Sequence, residues 1–150
     1  MGKAGVDKRV DVIAMAIQKG ATIYDLEEAE LCYAPQFGTA KDAINFAGMI
    51  AANHLRGDDP ILHWKSPQLA DYDLLDVRDP DEFSEGHAPG GKNIPLNSLR
   101  SSLDDLSKER PLAVYCAVGG RAHTAVRLLR QHGYDAVNLS GGFTTFLHSR

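Results

Sequence analysis

At 150 residues the chain has room for one domain with a proper core, or for one small domain and an appended piece, but not for two full domains. Hydrophobic residues at 43% and charged residues at 24% exclude wholesale disorder, and a net charge of −4 with no basic block makes nucleic acid and acidic membrane surfaces poor partners. No apolar run approaches the ~20 residues of a membrane span, and the start MGKAGVDKRV lacks a signal-peptide core, so a cytoplasmic protein with small-molecule or protein partners is expected.

Val6, Val10, Ile13 and Ile17 recur at helical spacing before Gly20, which predicts an amphipathic helix over 6–19. Asp25 with Glu28 reads as a capping box for a short helix that ends before Pro35. Ala43 to Leu55 is apolar around most of its circumference and closes at Gly57, so this helix asks for burial on more than one side and for a partner surface. Asp58, Asp59 and Pro60 mark a break, which separates a helical segment over 1–58 from a second region over 60–150.

In the second region DLLDV (73–77), PLAVYC (111–116) and AVNL (136–139) are short apolar runs of the kind that form buried parallel strands. Between them Asp79 can cap a helix with Pro80 at its first position and Glu82 closing the box, and NSLRSSLDDL (97–106) is a further helical candidate. Ala122 to His132 is amphipathic through Ala125, Val126, Leu128 and Leu129 and stops at Gly133. This alternation predicts an α/β fold, a parallel sheet with helices on both faces, whose ligand site lies at the carboxyl ends of the strands. Asp76, Arg78 and Cys116 then share one rim.

The chain has two cysteines, Cys32 and Cys116, too few for a metal framework. Cys32 reads as a packed structural thiol at a helix end. Cys116 stands where a buried strand meets Ala117, Val118, Gly119 and Gly120, followed by Arg121 at a helix start. A loop that curls around its first residue would aim backbone N–H groups and the helix amino terminus at the sulfur, with Arg121 adding a full positive charge and Gly119 or Gly120 taking positive φ. All of these favour a thiolate, the form that attacks sulfur or phosphorus. A buried structural cysteine would need none of them.

LLDVRDPDEFSEGHAPGGKNIP (74–95), VYCAVGGRAHTAVRLL (114–129) and GYDAVNLSGGF (133–143), in this order and spacing, resemble the rhodanese domain of sulfurtransferases. The resemblance covers about residues 60–150 and implies a rhodanese-like parallel sheet flanked by helices. Cysteine followed by arginine also marks cysteine phosphatases, but four residues separate Cys116 from Arg121, where the phosphatases carry five. The resemblance implies that Cys116 takes sulfane sulfur from thiosulfate, polysulfide or a small persulfide and passes it to a thiol or cyanide, without metal or organic cofactor. Asp76 and Arg78 match the family's DVR strand end, as a brace for the loop or its rim, as a direct substrate contact, or as a surface ion pair. His87 reads as a loop tie. Ala122 stands where many active relatives have serine, which bears on donor preference.

VDKRVDVIAMAIQKGATIYDLEEAELCYAPQFGTAKDAINFAGMIAANHLRGD (6–58) resembles the end of the dimerisation domain of the flavin-dependent coenzyme A disulfide reductase and NADH oxidase family, some of whose members end in a rhodanese domain. There the YAP segment lies at the dimer interface, which singles out Tyr33. No GxGxxG follows a strand, so FAD and NADH or NADPH are expected only in a parent oxidoreductase. The resemblance implies a carboxyl-terminal portion of such an enzyme, or a free-standing domain with a dimer-forming helical arm, partnered by a second copy or by a flavin domain and supplied by coenzyme A persulfide or polysulfide. The alternative is a non-catalytic rhodanese-like regulatory or interaction module.

Overall fold

The structure, a computed structural model, describes residues 5–32, 34–36 and 38–149; Tyr33 lies outside the described residues. The chain divides into two compact units, residues 1–57 and 58–150.

Among the described residues the first unit holds three helices, α1 (Val6–Gln18), α2 (Ile23–Glu28) and α3 (Ala43–Arg56). The box that opens α2 is built from Thr22 and Asp25, not from Asp25 and Glu28: the threonine hydroxyl sits at the cap position, and Asp25, the third residue of the helix, is its partner. The short helix ends at Glu28, well before Pro35. Asp42 caps α3, accepting from the Ile44 N–H and from the Arg9 guanidinium, while Asn45 donates to the Leu26 and Ala29 carbonyls. Only Ile44, Asn45, Gly48 and Ala52 of α3 are buried; Phe46, Ile50 and Leu55 are exposed. Cys32 is exposed too, in the irregular stretch after α2. The packed position expected of it is not found because α2 stops four residues earlier, leaving no helix end against which the thiol could pack.

The second unit is built on five parallel strands, β1 (Ile61–Leu62), β2 (Asp73–Asp76), β3 (Lys92–Asn93), β4 (Leu112–Tyr115) and β5 (Ala136–Leu139), in the order β1-β5-β4-β2-β3. Helices α4 (Pro80–Glu85), α5 (Leu96–Leu99), α6 (Gly120–Gln131) and α7 (Gly142–His148) join or follow them, with 3₁₀ turns at Pro67–Asp71 and Arg100–Asp105. The helix expected over 97–106 is therefore split: α5 covers its start, and non-helical dihedrals at Ser102 interrupt the turn that follows. The expected parallel sheet flanked by helices is the fold observed.

Strand β4 is buried along its whole length, as a central parallel strand must be. Its side chains alternate between two cores. Leu112, Val114 and Cys116 pack toward α6 with Ala122, Ala125, Val126 and Leu129. Ala113 and Tyr115 face the other side, among Leu62, Val137 and Leu139, with Trp64, Phe143 and Phe146 packed against them. Because β4 lies between β2 and β5, the segments leaving those three strands converge at one end of the sheet.

Candidate active site

Cys116 follows β4 directly and is 1% exposed. Its loop doubles back: the Gly119 N–H donates to Cys116 Sγ at 3.1 Å, and Gly119 takes φ +116°, a conformation glycine adopts at little cost. Helix α6 then starts at Gly120, two residues earlier than its apolar periodicity suggests.

The loop is fastened from outside by α7. The Phe143 N–H donates to the Cys116 carbonyl at 2.7 Å, and the Thr144 N–H to the Ala117 carbonyl at 3.0 Å. In a trans peptide the C=O and the following N–H point in opposite directions, so the N–H groups of Ala117 and Val118 are turned away from α7. A loop whose carbonyls are satisfied on one side and whose N–H groups face the other is a cradle for negative charge. Val118 at its tip is exposed.

This fastening depends on Gly142, which sequence reasoning did not single out. A β-carbon there would lie 2.4 Å from the Cys116 carbonyl oxygen and 2.7 Å from that of Ala117, and φ is +57°. Gly142→Ala is expected to destabilise the second unit by about 2–3 kcal/mol, combining left-handed strain with the push on the loop. A chemical denaturation curve checks it; an unchanged midpoint would show that α7 does not hold the loop as closely as its hydrogen bonds indicate.

Asp76 and Arg78 are not a surface ion pair. Asp76 is fully buried and Arg78 is 5% exposed, because β2 lies inside the sheet. Arg78 Nε and Nη2 donate to both carboxylate oxygens of Asp76 at 2.7–3.1 Å, and Nη2 also donates to the Gly86 carbonyl at 2.7 Å. The guanidinium lies 4.2 Å from the Phe143 ring centroid, which ties the pair to the helix that fastens the loop. His87 stacks on Phe83 and its Nδ1 lies 3.1 Å from the Phe83 carbonyl, a local tie after α4.

Arg121 stands at the start of α6, but its guanidinium is held by Glu82, with Nη1 to Oε2 at 2.6 Å and Nη2 to Oε1 at 2.7 Å. Glu82 also accepts the Asp79 N–H, closing the expected capping box of α4. The hydrogen bond from Arg121 holds the Glu82 carboxyl well below the usual range, at about 2. Arg121 is in turn pushed further toward its charged form by the hydrogen bond to Glu82, with Cys116 and Asp79 adding to the effect. His123, in the first turn of α6, places Nδ1 2.8 Å from Asp59 Oδ2; Asn138 donates to the same oxygen and reaches the Gly119 carbonyl at 3.4 Å. Among the described residues no three His, Cys, Asp or Glu side chains are grouped so as to hold a metal ion.

Residues 61–149 match the family of rhodanese-like domains, a span that runs from β1 to α7 and contains the whole loop. The chain belongs to that family. Its rhodanese domain is similar to the protein YqhL of Bacillus subtilis, 39% identical over 71 residues that make up 47% of this chain and 56% of YqhL. It is also similar to a sulfurtransferase of Allochromatium vinosum, 35% identical over 51% of this chain and 76% of that protein. Among solved structures, the reduced CoADR-RHD of Bacillus anthracis superposes with a TM-score of 0.87 at 37% identity, over 93% of this chain and 26% of that one. An NAD-dependent persulfide reductase from A. fulgidus superposes with a TM-score of 0.81 at 33% identity, over 95% of this chain and 26% of that one. The chain thus spans about half the length of YqhL and a quarter of each of these two solved chains. Among the described residues no helix of the rhodanese domain or of the helices before it is long and apolar enough to cross a membrane.

Proposed function

We propose that the chain is a sulfurtransferase that carries sulfane sulfur as a persulfide on Cys116. The observation that carries this reading is the Gly119 N–H on Cys116 Sγ, in a loop whose Cys116 and Ala117 carbonyls are tied back to α7: a site that fixes a backbone donor on a sulfur nucleophile. Cys116 as thiolate attacks the outer sulfur of a donor, the Sγ–S bond forms, and the donor's S–S or S–sulfite bond breaks with its electron pair leaving on the thiolate or sulfite. An acceptor thiolate or cyanide then attacks the same outer sulfur and returns Cys116 as thiolate, so no outside oxidant enters. Ala117, Val118, Gly119 and Gly120 hold the charged sulfur, Arg121 closes the loop at the start of α6 in its pair with Glu82, and Asp76 and Arg78 brace the loop through Phe143.

The reading extends to the rest of the chain. Its likeness to CoADR-RHD and to the persulfide reductase covers more than nine-tenths of the residues, which supports a carboxyl-terminal portion of a coenzyme A disulfide reductase-type enzyme. In such a parent, FAD and NADH or NADPH belong to the preceding domains and coenzyme A persulfide or polysulfide is a fitting donor. The exposed apolar side chains of α1 and α3, among them Ile17, Ile50 and Leu55, suit a homodimer or a flavin domain as partner.

Intact-protein mass after brief incubation with thiosulfate, polysulfide or a thiol persulfide tests the reading. The expected result is the gain of one sulfur atom, removed by cyanide. The 1% exposure of Cys116 favours the rival reading, an interaction module with little turnover, and no adduct from any donor would overturn the sulfur-carrier reading in favour of that rival.

A further inference from the structure

Arg121 is the cation nearest in sequence to the nucleophile, yet its guanidinium is taken. Glu82 grips it with two short hydrogen bonds, and Asp79 Oδ2 stands 3.4 Å from Nη1, so two carboxylates surround one positive charge. Glu82 is anchored in turn, since its Oε2 accepts the Asp79 N–H; swinging away would open the cap of α4. The carboxylate stays ionised across the neutral range, because its partner holds it near 2. Two other basic residues near this end of the sheet, Arg78 and His123, are engaged elsewhere. Arg78 is consumed by the buried Asp76, and His123 faces the buried Asp59. A doubly charged oxyanion approaching Cys116 would meet a guanidinium whose Nη1 and Nη2 already face the oxygens of Glu82 and Asp79.

We propose that Glu82 sets the charge selectivity of the Cys116 loop: by withholding Arg121 it disfavours oxyanion donors such as thiosulfate and favours sulfane sulfur carried on a thiol. This deepens the sulfur-transfer reading and rests on it. With such a donor, RS–SH, the Cys116 thiolate bonds to the outer sulfur, the RS–S bond breaks, and RS⁻ leaves. Charge is conserved, and a doubly charged ion never has to enter.

Two alkylating agents of similar size, neutral iodoacetamide and anionic iodoacetate, probe the selectivity without presuming sulfur transfer, with modification read on the Cys116 peptide by mass spectrometry so that the exposed Cys32 does not count. Glu82→Gln keeps an oxygen for the cap while releasing Arg121, and the neutral-to-anionic rate ratio is expected to fall about tenfold, the effect of one unscreened charge near a partly desolvated site. In an Arg121→Ala background the same change is expected to leave the ratio within about threefold, because no cation remains to be released. Circular dichroism confirms that each variant is folded, and Glu82→Asp, which keeps the charge, is expected to keep the wild-type preference. The ratio of kcat/KM for thiosulfate to that for a thiol persulfide should move in the same direction and by a similar factor in Glu82→Gln. Equal alkylation ratios in wild type and Glu82→Gln overturn the role of Glu82 while sulfur transfer stands. A shift that survives in Arg121→Ala overturns the withholding of Arg121. A wild-type protein that shows the alkylation preference yet takes sulfur from neither donor overturns the sulfurtransferase reading and the donor assignment, and leaves the selectivity of Glu82 standing.

Discussion

Cys116→Ser is expected to abolish sulfur loading and transfer completely while the second unit stays folded. Serine is close in size, and its hydroxyl oxygen can accept the Gly119 N–H that Sγ accepts in the native chain, so the loop keeps its tie. What is lost is the nucleophile: an alkoxide is scarcely populated at neutral pH and forms no persulfide, whereas a thiolate does both tasks. The contribution of Cys116 to the core beside Val114 and Ala122 is small, and the melting midpoint should stay near that of the native chain. Mass spectrometry after donor treatment, with thiocyanate release from cyanide as a second readout, decides the matter. Transfer that persists in the variant would place the chemistry elsewhere, with the exposed Cys32 the first residue to examine.

The second large effect is on stability. Asp76→Ala is expected to cost about 3–5 kcal/mol, because it leaves the Arg78 guanidinium buried without its counter-charge. Against a domain stability of about 5–15 kcal/mol, this is enough to unfold a large fraction of the protein at physiological temperature. The loss is specific to breaking the pair. Replacing both members by apolar residues of similar volume, Asp76→Leu with Arg78→Met, should recover much of the stability, since neither charge is then stranded. It should not recover activity to the same extent, because the cation over Phe143 is gone and the helix that fastens the loop loses its brace. Urea denaturation of the single and double variants measures both steps. Equal destabilisation by the two would show that packing, not charge, is what Asp76 provides.

The parts of the fold that were legible in the sequence are those whose physics is local. Strands β2, β4 and β5 announce themselves as compact apolar runs because a parallel strand covered on both faces has no polar side to interrupt it. The box around Asp79 and Glu82 and the loop from Cys116 to Arg121 are short-range patterns, each contained in a few consecutive residues. Strands β1 and β3 were not legible: each is two residues long, too short to show any period. Helix α7 starts at glycines with no side-chain cap, so the signal that marks α4 is missing there. Long-range partnerships were hidden for a different reason. Glu82 and Arg121 are 39 residues apart, and nothing local distinguishes a glutamate that caps a helix from one that also captures an arginine across the site. Burial of the Asp76–Arg78 pair is likewise a property of the strand order, which places β2 inside the sheet, and the residues themselves read equally well as surface charges.

The chain has a single tryptophan, and its position makes the loop observable. Trp64 Nε1 donates to the Gly142 carbonyl at 2.9 Å, at the turn that presents α7 to the Cys116 carbonyl, and its indole meets the ring of Tyr115, the residue before Cys116, edge-on at 5.3 Å. Indole emission responds to hydrogen bonding at Nε1 and to nearby polarity, so the protein carries an intrinsic fluorophore hydrogen-bonded to the element that fastens the Cys116 loop. If Cys116 carries sulfur as proposed, its loading and unloading are expected to change Trp64 emission, and a stopped-flow trace on the unlabelled chain would report the rate at which the loop adjusts.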